Sequence, residues 1–178
     1  NELIPKARFM GADIMRIVAS SLMFRYEPHG PQIDAVVKML KQSVRIAEDH
    51  GVILALENHI DYTSAEIEQI LARVDSEALK VNFDTGNTLR MMEDPVAAAR
   101  RLGPYTVATH TKDLDACRHV RPEEWYFFSS VPVGTGLIDM PGVVRALKDS
   151  GYTGVLAVET DHHKDNQQHQ HGVKSIKK

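Results

Sequence analysis

The sequence predicts a parallel α/β fold on three observations: short β-branched apolar runs recur along it, stretches of helical spacing separate them, and glycine or proline punctuates the joins. Segment 13–19 (DIMRIVA) reads as a strand. Residues 32–50 then set Ile33, Val36, Val37, Leu40, Val44 and Ala47 at helical spacing, and Gly51 stops the pattern as a C-cap. VILALE at 52–57 is the apolar run expected of a strand buried on both faces. Thr63 and Glu66 form a capping box for a helix carrying Ile67, Ile70, Leu71 and Val74. LKVNFD at 79–84 is a strand, and Asp94 with Pro95 opens a helix ending near Gly103. TVATH at 106–110 is the next strand. A polar loop with Trp125, Tyr126, Phe127 and Phe128 follows over 114–130, and 128–133 is short and extended. Asp139 and Pro141 start a helix bearing Val144 and Leu147, closed by Gly151, before the last strand, GVLAVE at 154–159. This reading has six strands and four clear helices, no Gly-rich phosphate loop and no internal domain boundary.

Four of these strands finish on a residue able to bind a metal: Glu57, Asp84, His110 and Glu159. In a parallel α/β fold the C-terminal strand ends open onto one face, so residues distant in sequence converge there. A lone carboxylate at a strand end is ordinarily a helix N-cap or a salt-bridge partner. Four buried strands stopping in the same phase on ionisable residues need a reason at that face, and three carboxylates would repel one another without a cation. Three carboxylates and one imidazole suit a hard-to-borderline divalent ion, Mn²⁺ first, then Mg²⁺, Co²⁺ or Zn²⁺.

The composition narrows the partners. The 178 residues are 43% apolar and 25% charged, as in ordinary globular domains. No run approaches the roughly 18 apolar residues of a membrane span, and the start NELIPKARFMG lacks a signal-peptide core. A net charge of −3 and a pI near 6.3 give no attraction to a polyanion, and Arg100-Arg101 is too small a basic segment to supply one. The expected partner is a small molecule, with neither nucleic acid nor membrane, and a homo-oligomer is allowed. The single Cys117 forms no internal disulfide, so a reducing cytoplasm is the expected compartment. Residues 161–178 are polar and expected to be a loosely ordered tail.

The segments ALENH (55–59), NFDTGN (82–87), THTKD (109–113), VPVGTGLID (131–139) and GYTGVLAVET (151–160) together resemble the sugar phosphate isomerase/epimerase family with a xylose isomerase-like TIM barrel. Their order and spacing carry the resemblance over nearly all of residues 8–160. It implies a (β/α)₈ barrel of that type over residues 1–160, with the family's metal ligands at the ends of strands four, five, six and eight matching Glu57, Asp84, His110 and Glu159. On that numbering 13–19 is the third strand. A (β/α)₈ barrel takes about 250 residues, so the expectation is an incomplete barrel lacking N-terminal strands one and two, a fragment with two raw sheet edges.

Where the family shows Asp-x-x-His, this chain has Asn87, an amide that hydrogen-bonds a hydroxyl but carries no proton. Where the family's glycine loop has Glu, this chain has Thr135. His59 is a candidate for the pocket mouth or else caps the next helix. Lys112, in the family's H-x-K-D pattern, contacts a substrate oxygen or forms an ion pair. Arg16 is either a packing charge or a phosphate contact. The tail histidines His162, His163, His169 and His171 read as a solvated loop.

The resemblance implies a metal-dependent isomerase or epimerase of a sugar, sugar phosphate or keto-polyol. A proton leaves the carbon α to a carbonyl, an ene-diolate forms, and Glu57 and Glu159 take and return the proton. His59, Asn87 and Lys112 are the expected substrate contacts. Alternatives are a dehydratase of an inosose or dehydroshikimate-like ring on the same scaffold, an endonuclease IV-like phosphodiesterase, and a non-catalytic binding paralogue. The acidic balance and Asn87 argue against the phosphodiesterase.

Overall fold

A computed structural model describes residues 1–116 and 128–159. The aromatic run Trp125–Phe127, Cys117 and the whole of the tail with its histidines lie outside the described residues.

A short helix not expected from the sequence, α1 (Leu3–Phe9), precedes β1 (Ile14–Ile17) and α2 (His29–His50). The six apolar positions assigned to that second helix are its buried residues, and Gly51 ends it at φ 62°, a left-handed conformation that favours glycine. There follow β2 (Ile53–Glu57), α3 (Ser64–Val74) with the Thr63–Glu66 capping box formed, and β3 (Leu79–Asp84). Next come α4 (Thr85–Arg90), α5 (Pro95–Leu102) capped by Asp94, and β4 (Thr106–Thr111). The chain then forms β5 (Asp113–Ala116), β6 (Phe128–Val131), α6 (Met140–Asp149) capped by Asp139, and β7 (Ala157–Val158).

The main sheet runs β1-β2-β3-β4-β7, every pair parallel, and β5 with β6 makes a separate antiparallel ribbon. This corrects where one expected strand belongs. Among the described residues all six expected strands form, with a seventh at 113–116, but only five make the main sheet, in which β4 and β7 are direct neighbours, His110 pairing with Ala157 just before Glu159. The segment expected to be extended at 128–133 is extended, but it pairs with the chain just after β4 instead of entering the sheet. The cause is Asp113. Its buried carboxylate accepts the amides of Leu114, Gly134, Gly136 and Ile138 and so turns the chain back on itself. Five strands fall three short of the eight that close a (β/α)₈ barrel, so the described sheet is an incomplete one.

Side chains alternate across a strand. Leu54, Leu56, Leu79, Val81 and Phe83 face outward and form the core with the apolar faces of α2, α3, α5 and α6. Glu57 pairs with Asn82 on the inner face, which puts Asp84, two residues on, there as well. Between β3 and β4 the register slips: Val81 pairs with Thr106, yet Asn82 pairs with Ala108. Val107 is the extra residue of this β-bulge. In unbroken register Asp84 would face Thr109, and His110 would point into the helices. With the bulge, Asp84 pairs with His110 and the imidazole joins the inner face.

The loop between β1 and α2 is tied across the same end of the sheet. Ser20 N–H donates to Asp61 at 2.9 Å, and His29 bridges the Glu66 carboxylate (2.6 Å) and the Arg25 carbonyl (2.9 Å). Both partners of the ring are acceptors, so its pKa is raised, by the Glu66 bond first and the Arg25 bond second, against burial.

Candidate metal centre

The four strand ends do meet. Glu57, Asp84, His110 and Glu159 each offer one ligand atom, and these atoms all lie within 4.8 Å of one another. Glu57 and Asp84 are buried, while His110 and Glu159 are half-buried on the open side. His110 Nδ1 stands 3.3 Å from Glu57 Oε1, 3.2 Å from Glu159 Oε2 and 3.9 Å from Asp84 Oδ2.

Each ligand is held from behind. Asp84 Oδ1 caps α4 by accepting the Asn87 amide at 2.8 Å, which leaves Oδ2 facing the cluster. Asn58, a residue sequence reading did not single out, clasps the Asp84 backbone: its Nδ2 donates to the carbonyl at 2.8 Å and its Oδ1 accepts the amide at 2.7 Å. Asn87 Nδ2 donates to Glu57 Oε1 at 3.4 Å, so this expected substrate contact lies against a ligand. Lys112 is also in the site. Its ammonium is 3.0 Å from Glu159 Oε2 and 3.3 Å from Asp84 Oδ2, and its buried stem passes over Gly86, where a Cβ would come within 2.9 Å of it. Thr85 Oγ1 fixes the backbone there, donating to the Lys112 carbonyl and accepting its amide. Arg16 donates from Nε to Glu57 Oε2. His59 is half-buried: its backbone amide donates to the Glu57 carbonyl at 2.9 Å, while its buried Nδ1 has no hydrogen-bond partner among the described residues; Thr135 is exposed, bonded to its own loop at Pro132.

Burial pushes Asp84 up to about 7; Glu159 and Glu57 add to the rise, and Lys112 and the Asn87 amide oppose it. His110 is raised to about 9 by its bonds to Glu159 and then Glu57, against burial. Burial raises Glu57, but the bonds from His110 and Arg16 more than offset it and the net shift is downward. Glu159 is held well below the usual carboxylate range, first by His110 and then, over the cost of burial, by Lys112.

The residues fit a divalent ion. Metal–ligand distances of about 2.0–2.2 Å place opposed donors about 4.0–4.4 Å apart, a few tenths of an ångström inside the present spread. Asp84 Oδ2 and Glu159 Oε2 are buried and receive no well-formed hydrogen bond, Lys112 being close to both. Bound ligands must shed the protons now on His110 and Asp84, so affinity rises with pH. Mn²⁺ binding is expected to tighten by about tenfold per pH unit above about 7 and more steeply below it, with one to two protons released, as calorimetry in buffers of different ionisation enthalpy would count. Affinity that does not vary between pH 6 and 8 would place the ion on other residues.

Comparison with known proteins agrees with this geometry. The family model of the xylose isomerase-like TIM barrel matches residues 2–178. The chain belongs to that family. It is 27% identical over 128 residues to an inosose dehydratase of Clostridium beijerinckii, covering 66% of this chain and 43% of that protein. Among solved structures, a xylose isomerase domain protein from Planctomyces limnophilus superposes with a TM-score of 0.78 at 22% identity, over 99% of this chain and 60% of that one. The IOLI protein, solved with a bound zinc atom, gives 0.77 at 19%, over 98% and 65%. The chain thus spans less than half the length of that curated relative. Among the described residues no helix is long and apolar enough to cross a membrane.

Proposed function

We propose that the protein uses a divalent metal, Mn²⁺ for preference, to remove a proton from the carbon α to the carbonyl of a small polyhydroxylated keto compound. The observation that carries this reading is the meeting of Glu57, Asp84, His110 and Glu159 within 4.8 Å at the C-terminal ends of four adjacent strands. When bound, such an ion supplies Lewis-acid stabilisation of the charge that develops on the substrate oxygens. Glu159, on the open side, takes the proton, and the electron pair left on carbon is carried as an ene-diolate. Glu57, buried opposite, is the second carboxylate of the site. Lys112 donates a hydrogen bond to a substrate oxygen from its place between Asp84 and Glu159, and His59 and Asn87 lie on the mouth and floor.

The same proton removal serves an isomerase or epimerase, which returns the proton to carbon, and a dehydratase, which expels a β-hydroxyl. The inosose dehydratase relative favours the second for this chain. The protein, loaded with Mn²⁺ in D₂O, is expected to exchange the α hydrogen of at least one of a ketohexose, an inosose and dehydroshikimate, followed by proton NMR. No exchange with any of them would sink the proposal.

A further inference from the structure

The two glutamates of the site are not equivalent, and Arg16 is what separates them. Arg16 pairs in register with Ala55, and Glu57 lies two residues beyond on the same face. The alanine methyl leaves room for the arginine to lie along the strand, and its Nε donates to Glu57 Oε2. The other oxygen, Oε1, faces Asn87 Nδ2 at 3.4 Å and His110 Nδ1 at 3.3 Å. Both oxygens of Glu57 are thus spoken for from opposite directions, in a side chain only 2% exposed. Glu159 is 37% exposed, and no guanidinium pairs with it among the described residues.

We infer that Arg16 is a positioning residue that restricts Glu57 to a one-oxygen metal ligand, leaving Glu159 as the sole proton carrier and the reaction as a one-base conversion. This rests on the function proposed above and deepens it. Inverting a carbon centre needs one base on each face of the substrate. A single carboxylate takes the proton as the C–H bond breaks and its own O–H bond forms, with the electron pair entering the ene-diolate. Half-exposed, it exchanges that proton with solvent and then gives a proton back on the same side. The proton goes either to the neighbouring carbon, as the hydroxyl proton passes from one ene-diolate oxygen to the other, or to a departing β-hydroxyl, whose C–O bond breaks so that water leaves; either way the carboxylate is restored. The substrate class that follows is a hydroxy-ketone undergoing a 1,2-proton shift or dehydration, and not one undergoing epimerisation.

The test compares the purified full chain with Arg16→Met and Arg16→Lys by Mn²⁺ calorimetry, thermal unfolding, and steady-state kinetics in D₂O on whichever of the three keto compounds exchanges. Arg16 is 46% exposed, so Arg16→Met is expected to unfold within a few degrees of the wild type. It should bind Mn²⁺ about tenfold more weakly and lose about 10–100-fold in kcat with little change in KM. Arg16→Lys should recover part of both. A guanidinium that was merely a nearby positive charge would tighten Mn²⁺ binding when removed. The wild-type product should keep the configuration of any centre it exchanges. Exchange by the wild type with Arg16→Met unaffected, or with an inverted centre, overturns this inference alone. No Mn²⁺ binding and no exchange by the wild type overturns the proposed function and the inference with it.

Discussion

Glu159→Gln is expected to lower kcat by about 10³-fold or more while the protein stays folded, because an amide cannot accept the proton that the reaction removes. The half-exposed side chain sits at the end of a two-residue strand and packs no core, so its loss is not a loss of structure. It is a loss of charge and of basicity. Glu159 is held ionised first by the His110 ring, 3.2 Å from its Oε2, and that attraction is strongest while His110 is an imidazolium. A ligating histidine must be neutral, and a divalent cation in place of its proton would keep Glu159 ionised. Glutamine also leaves Glu57, Asp84 and His110 as the three full ligands, so Mn²⁺ affinity should fall together with turnover. Single-turnover exchange at saturating Mn²⁺ separates the two effects. Exchange restored by saturation would make Glu159 a ligand only, whereas the expected result is exchange still suppressed by about 10³-fold. Unaltered turnover would remove Glu159 from the chemistry.

The meeting of the four strand-end residues was legible because its evidence is local. Each of four apolar runs stops on an ionisable residue, and parallel topology sends all four ends to one face. The caps were legible for the same reason: Thr63 with Glu66, Asp94 with Pro95, and Asp139 with Pro141 are signals contained within a few residues. What escaped depends on pairing between distant segments. Nothing in TVATH announces that Val107 is an extra residue opposite β3, yet that bulge decides whether His110 faces the site or the helices. The antiparallel ribbon is hidden in the same way, since an extended run near 128–133 reads alike whether it joins a barrel or folds against 113–116. α4 has only six residues, one of them glycine, and no apolar stripe; it is set by the Asp84 cap and not by periodicity. Arg16 could be read from sequence as a charge on a strand, but only the register with Ala55 says which carboxylate it reaches.

Asp113→Ala is expected to destabilise the protein by about 3 kcal/mol or more. The carboxylate is 1% exposed and accepts four backbone amides: Leu114 at 2.9 Å and Ile138 at 3.3 Å through Oδ1, and Gly134 and Gly136, each at 2.9 Å, through Oδ2. Alanine strips a buried acceptor from all of them at once, and each buried donor left without a partner costs about 1–3 kcal/mol unless water reaches it. Asparagine keeps the shape but turns an NH₂ toward donors, so it should recover only part of the loss. Gly136→Ala attacks the same clasp from the other side, because a Cβ there would fall 2.3 Å from Asp113 Oδ1 and 2.5 Å from the Leu114 carbonyl. Urea unfolding of the three variants should give midpoints well below the wild type, and a change under about 1 kcal/mol for Asp113→Ala would remove the clasp from the account. The consequence reaches the chemistry through one peptide bond. Lys112, adjacent to Asp113, holds its ammonium between Asp84 and Glu159 with its backbone fixed by Thr85 on one side and by this turn on the other. Below the unfolding transition, Asp113→Ala should therefore also weaken Mn²⁺ binding, although Asp113 itself touches none of the four ligands among the described residues.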